Sequence, residues 1–182
     1  MVKKVSIWST LEPLLYNKEL HLAEISKKLN KPHTTVRKQL EMFEKMGLVE
    51  KRTIGKLSFY KLKKIPLIID YLTIIEKEKL IRRCNEELAL KEIVEFFHNF
   101  NNPMIIFGSA VRSLKEANDI DLIILGKFNS NSLIQLEKKL NIKFHILNVK
   151  TLKQINEALK KEIIKKHLII QGSEEWIKWM IN

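Results

Sequence analysis

The 182-residue sequence predicts a mixed α/β (α+β) chain in two parts: a small helical head closing on a β-hairpin, then a mixed sheet with flanking helices. Three observations carry this. Apolar residues recur at helical spacing to about residue 46 and then alternate at strand spacing. After Pro103, short apolar runs alternate with helical segments, the pattern of a sheet with helices packed on it. Charge divides the same way: residues 1–66 hold 15 basic and 6 acidic side chains, whereas the remainder holds 18 and 15.

In the first part, "HLAEISKKLN" sets Leu22, Ile25 and Leu29 on one helical face, and "PHTTVRKQLEMFEKMG" sets Val36, Leu40, Phe43 and Met46 on another. Pro32 suits the first position of that second helix and Gly47 its C-terminal cap. "LVEKRTIGKLSFYKL" then reads as strand, turn about Ile54 and Gly55, and strand, with Leu57, Phe59 and Leu62 as its apolar contacts. Pro66 opens a long helical stretch with a break expected near Cys84 and Asn85. On it, Glu78, Lys79, Arg82 and Arg83 read as a solvated face, and Phe96, Phe97 and Phe100 as core.

Beyond Pro103 the expected order is a strand over 104–107, a short helix, a strand over 120–125, a helix over 130–140, a strand over 142–149 and a helix over 152–166. A short strand and a terminal helix capped by Ser173 close the chain. Trp176 and Trp179, three apart, are expected to pack against the sheet.

Composition narrows the function. With 45% hydrophobic residues the chain can build a sizeable core, and its net charge of +12, concentrated near the N-terminus, favours a polyanionic partner. The single cysteine, Cys84, makes no internal disulfide, and no Cys/His spacing matches a zinc site. A reducing, cytoplasmic location fits. The start "MVKKVSIWSTLEPLLY" lacks the apolar run of a signal peptide, and windows such as "IPLIIDYLTII" are too short to span a bilayer, so no membrane partner is expected.

Two helices joined by the turn "NKP" and followed by a basic hairpin can place the second helix in a major groove while the hairpin follows the backbone. The stretch resembles the winged helix-turn-helix domains of prokaryotic transcription regulators. That resemblance puts His33, Thr34, Thr35, Arg37 and Lys38 at the exposed start of the recognition helix, with Arg52 and Lys56 on the wing. Thr and Lys suit phosphate, and Arg37 suits a guanine edge in double-stranded DNA. Lys27, Lys28 and Lys31 read equally as surface lysines.

The stretch "FGSAVRSLKEANDIDLIIL" raises the chemical question. Asp119 and Asp121 lie two apart on a strand, so both carboxylates leave one face, where they repel unless a cation neutralises them. Oxygen ligands of this kind suit Mg²⁺ bridging phosphates. Gly108 and Ser109, between a strand and a short helix, offer backbone N–H groups and a hydroxyl to phosphate. Capping, or pairing with Arg112, is the structural alternative for the aspartates. "GSAVRSLKEANDIDL" is similar to the Gly-Ser and Asp-x-Asp signature of the DNA polymerase beta type nucleotidyltransferases in their minimal prokaryotic form. The resemblance implies a nucleoside triphosphate held by Gly108, Ser109 and Arg112, and Mg²⁺ or Mn²⁺ held by Asp119 and Asp121. It also implies nucleotidyl transfer to a hydroxyl with help from a third carboxylate.

This chain departs from that pattern. Ser113 follows Arg112 where the family often has glycine, and "IKFHILNV", the strand expected to carry the third acid, contains no Asp or Glu. His145 is the candidate there, flanked at alternate spacing by Lys143 and Leu147. It reads as a ligand or base completing the catalytic set, or as a structural histidine. The expected organisation is a DNA-binding head over 1–64, a connecting and dimerising helix over 65–84, and a nucleotidyltransferase-like domain over 85–182. The expected function is DNA-binding transcription regulation with a nucleotide- and metal-binding domain of reduced catalysis. An active antitoxin-like transferase acting on a protein or RNA hydroxyl is the alternative.

Overall fold

The computed structural model describes residues 6–15 and 19–181. Lys3 and Lys4, on which the leader expectation bears, lie outside these. Two compact units are present, 1–75 and 76–182, and their boundary falls within one helix.

The first unit begins with a 3-10 turn, Ile7–Leu11, running into α1 (Glu12–Leu15). A short strand, β1 (Leu20–His21), leads into α2 (Leu22–Leu29) and α3 (His33–Lys45), followed by β2 (Val49–Ile54) and β3 (Leu57–Leu62). His21 fixes the start of α2: its Nδ1 accepts from the Ala23 amide at 3.2 Å while Glu24 accepts from the His21 amide at 3.1 Å. Asn30, left-handed at φ 50°, ends that helix, and Ser26 Oγ donates to the Lys31 carbonyl at 2.7 Å to set the turn. Gly47 closes α3 at φ 74°, where its amide bonds to the Glu44 carbonyl and that of Leu48 to Phe43. Pro32 is the residue before α3 rather than its first member. The strands pair in the order β1-β3-β2, all antiparallel.

The core of this unit is built by Leu11, Leu14, Ile25, Val36, Leu40, Phe43, Leu48 and Tyr60. Trp8 lies between Phe43 and Tyr71, with ring centroids 5.5 and 4.6 Å away. Two apolar expectations are corrected. Leu57 is exposed and Phe59 half-exposed, because Tyr60 takes the inward position and strand side chains alternate. Met46 is exposed at the end of α3, where the helical face no longer meets the core.

The helix α4 (Leu67–Glu86) ends one residue past the break expected near Cys84 and Asn85, and the observed break lies at Glu87 (φ −136°). The second unit continues with α5 (Leu88–Phe97), β4 (Met104–Phe107), a 3-10 turn at Ser109–Val111, and β5 (Asp119–Leu125). Then come α6 (Ile134–Leu140), β6 (Lys143–Val149), α7 (Glu157–Lys165), β7 (His167–Gln171) and α8 (Ser173–Ile181). The helices expected over 130–140 and 152–166 each open as a separate 3-10 turn, Ser130–Leu133 and Leu152–Gln154. The strand order is β6-β5-β4-β7, with β5 and β6 parallel and the other pairs antiparallel. The parallel pair needs a crossover, which α6 supplies. Ser173 is the first residue of α8, not its cap, and its buried hydroxyl has no hydrogen-bond partner among the described residues.

Side-chain alternation divides this sheet. One face sends Met104, Ile106, Ile120, Leu122, Ile124, Leu168 and Ile170 into a core with Leu90, Ile93 and Phe97. The other face carries Asp119, Asp121, Lys143, His145 and the fully buried His167. Trp176 is fully buried and Trp179 is partly so, with Lys160 Nζ 5.2 Å from its ring centre. Among the described residues no helix is long and apolar enough to cross a membrane.

Candidate functional site

Asp119 and Asp121 open β5 on the same face, both half-buried, with the fully buried Ile120 between them on the core face. β4 runs antiparallel beside them and ends opposite: Phe107 pairs with Asp121, so Gly108 arrives next to that carboxylate. The approach leaves no room for a side chain. A Cβ on Gly108 would stand 2.6 Å from Asp121 Oδ2, and its φ of 74° with ψ −149° is a conformation glycine alone adopts without strain. Ser109 opens the 3-10 turn and Arg112 follows it, both exposed. Arg112 makes no ion pair with either aspartate, so the pairing alternative for the carboxylates is not realised.

On the other side, the parallel register sets Lys143 beside Asp119 and His145 beside Asp121. His145 Nδ1 lies 3.2 Å from Asp121 Oδ1, and the imidazole is 78% exposed. The contact with Asp121 engages one ring nitrogen and leaves the rest of the imidazole open to solvent. A cavity of about 230 Å³ adjoins the start of β6, lined by Ile134, Glu137, Lys138, Asn141, Ile142 and Lys143.

The loop between the two halves of the site is anchored by a residue that the sequence did not mark. Glu87 Oε2 accepts from the Leu114 amide at 3.2 Å and from Arg83 Nη2 at 2.8 Å. Arg83 therefore turns inward rather than joining a solvated face. Lys79 does the same, donating at 3.2 Å to Glu76 Oε2, while Glu76 Oε1 faces His167 Nε2 at 3.3 Å. His167 Nδ1 contacts the Ile163 carbonyl at 2.8 Å. Burial works against ionisation of Glu76, but Lys79 and His167 outweigh it and hold the carboxyl down at about 2. Only spacing along α4 could have signalled this cluster, since the partner on β7 lies about ninety residues away.

The donor set can be tested against a metal. Two adjacent half-buried carboxylates with a side-chain-free backbone against one of them suit a single hard cation carrying phosphate oxygens. Among the described residues no three His, Cys, Asp or Glu side chains converge as a metal cluster.

The first unit presents a second surface. His33, Thr34, Thr35, Arg37 and Lys38 are all exposed on α3, while Val36 and Leu40 are buried beneath them. Farther along, the exposed face turns acidic at Glu41 and Glu44. On the hairpin, Lys56 is exposed at the turn, whereas Arg52 pairs with Glu19 through Nη2 at 2.7 Å, which lowers the Glu19 carboxyl by hydrogen bonding. Lys31 is half-buried, with Nζ 3.2 Å from Ser9 Oγ, and burial lowers its pKa, so it is not an ordinary surface lysine.

A family model described as a nucleotidyltransferase domain matches residues 87–178, half of the chain. Among curated proteins none matches. Among solved structures the chain is similar to TrmBL2, described as an archaeal chromatin protein with a novel mode of DNA binding. Identity is 15%, the alignment covers 86% of this chain and 68% of that one, and the TM-score is 0.31.

Proposed function

From the premise that the chain belongs to the nucleotidyltransferase domain family, we propose that it is a DNA-binding regulator whose C-terminal unit holds a nucleoside triphosphate and a divalent cation. The Gly-Ser and Asp-x-Asp stretch, by its resemblance to the DNA polymerase beta type nucleotidyltransferases, implies both. The observation that carries the nucleotide half is the fit of Gly108 against Asp121, which brings backbone N–H groups and Ser109 beside the carboxylate pair with no side chain intervening. Mg²⁺ or Mn²⁺ held by Asp119 and Asp121 would neutralise phosphate charge there. Gly108, Ser109 and Arg112 bind and orient the phosphate oxygens. Transfer is slow, because β6 supplies His145 and no carboxylate to help hold a cation activating the attacking oxygen.

The DNA half places the winged helix-turn-helix over 1–64. The first two turns of α3 enter the major groove, since Glu41 and Glu44 would meet phosphate unfavourably if the helix lay in it along its whole length. Thr34, Thr35 and Lys38 bind phosphate, Arg37 reads a base, and His33 and Lys56 contact the backbone. The exposed Leu67, Ile74 and Ile81, seven residues apart on α4, form the contact between two copies of the chain.

One observation favours a second reading, active transfer to a protein or RNA hydroxyl: the exposed His145 imidazole at 3.2 Å from Asp121 is placed to take a proton. In that reaction the hydroxyl oxygen bonds to the α-phosphorus as the bond to pyrophosphate breaks, and the hydroxyl proton passes to the imidazole.

Calorimetric titration of the full chain with the four common nucleoside triphosphates, with and without Mg²⁺, tests the principal reading. Mg²⁺-dependent binding that Asp121→Asn abolishes is the expected result. Binding to none of the four, or binding indifferent to Asp121→Asn, overturns it.

A further inference from the structure

The strand beside the carboxylates carries no acid, and its register sets an ammonium beside one of them. Lys143 and Asp119 are partners in the parallel pairing, so their side chains leave the same face from strands about 4.8 Å apart. His145, two residues on, proves the face by its contact with Asp121. Lys143 is exposed and makes no ion pair with Asp119 or with any other described residue. A lysine side chain is long enough for its ammonium to pass the short aspartate and stand over the phosphates. A second cation held from β6 would meet that ammonium at close range, and like charges there oppose it.

We propose that Lys143 is a phosphate-binding residue of the nucleotide site, and that it makes this a one-cation site in which the ammonium supplies charge a second metal would otherwise bring. The inference rests on the nucleotide-binding reading above. Two carboxylates with one divalent cation are charge-neutral, so a triphosphate needs further positive charge. Lys143 provides it from the β6 side and Arg112 from the side of the Gly-Ser turn. Affinity then depends on the number of phosphates, because Lys143 touches the phosphate chain rather than the base or sugar.

The test uses the full chain, first with ATP, GTP, CTP and UTP in the presence of Mg²⁺, then with the diphosphate and monophosphate of whichever binds most tightly. Lys143→Ala is expected to weaken triphosphate binding about tenfold and monophosphate binding by less than about twofold, and Lys143→Arg to restore most of the loss. Electron paramagnetic resonance with Mn²⁺ is expected to count one ion per bound nucleotide. Unchanged triphosphate affinity in Lys143→Ala, equal losses for triphosphate and monophosphate, or two Mn²⁺ per nucleotide overturns the proposal. If Asp121→Asn abolishes binding while Lys143→Ala leaves it intact, the role of Lys143 alone fails. If the native chain binds none of the four, both readings fall together.

Discussion

The face of α3 and the face of β5 make opposite use of the same constraint. On α3 the residues proposed for DNA stand out in water, beyond a buried row of Val36, Leu40 and Phe43, and nothing in the fold restrains them beyond the helix itself. On β5 both carboxylates are half-buried, and Asp121 is hemmed on two sides: Gly108 presses on it from β4, and His145 touches it from β6. A groove of DNA is broad, and its backbone is read by charge. A metal and a phosphate need oxygens fixed to fractions of an ångström. If the two proposals hold, the first surface is therefore expected to tolerate substitution residue by residue, and the second is not.

The largest effect expected from this difference is in salt. If the first unit contacts several phosphates, raising salt from about 50 to about 200 mM lowers duplex affinity by on the order of a thousandfold, while metal-dependent nucleotide binding changes far less. Fluorescence anisotropy over that range checks it, and salt-insensitive or absent DNA binding breaks the comparison.

Next in size is the contribution of a second copy. Ile81→Asp, on the exposed row of α4, is expected to convert a dimer to a monomer in sedimentation and to weaken binding to a palindromic site on the order of 100-fold, because two linked half-site contacts become one. A native chain that sediments only as a monomer at high concentration, with and without DNA, removes this element.

Glu76 tests the buried side of the second unit. Its folded carboxyl is depressed from 4.5 to about 2, so its stabilisation is fully present above the unfolded value and is lost as pH falls toward about 2. That amounts to about 3 kcal/mol at neutral pH. Glu76→Gln should lower the melting temperature at pH 7 and flatten the loss of stability through the acid range, as followed by circular dichroism. An acid profile identical to that of the native chain contradicts the assignment.

The smallest effect separates two cations of the hairpin. Lys56→Ala is expected to weaken all DNA sequences alike by a few-fold, and Arg52→Ala by less, because Arg52 already spends its charge on Glu19. Arg37→Ala differs in kind, reducing preference among sequences. Competition binding against random duplex resolves the three.

How much was legible in the sequence follows from the range of the interactions involved. The helices of the first unit, the Gly47 stop and the strand holding Asp119 and Asp121 rest on local spacing, and periodicity shows them. The hairpin's inward residue was misplaced because alternation fixes which residues share a face but not which face is buried, and Tyr60 took the core instead of Phe59. Lys79 and Arg83 look like surface cations from sequence, since their partners Glu76 and Glu87 acquire meaning only once His167 and Leu114 are brought beside them. The Lys143–Asp119 and His145–Asp121 pairs depend on the register of two strands joined by a crossover, which the motif alone does not determine.

The most direct measurement is a crystal of the full chain soaked with Mg²⁺ and the tightest-binding nucleoside triphosphate. One cation bridging Asp119 and Asp121, with phosphate oxygens against the Gly108–Ser109 backbone, is the predicted result. A nucleotide bound elsewhere on the molecule, or a site without cation at saturating concentrations of both, would contradict it.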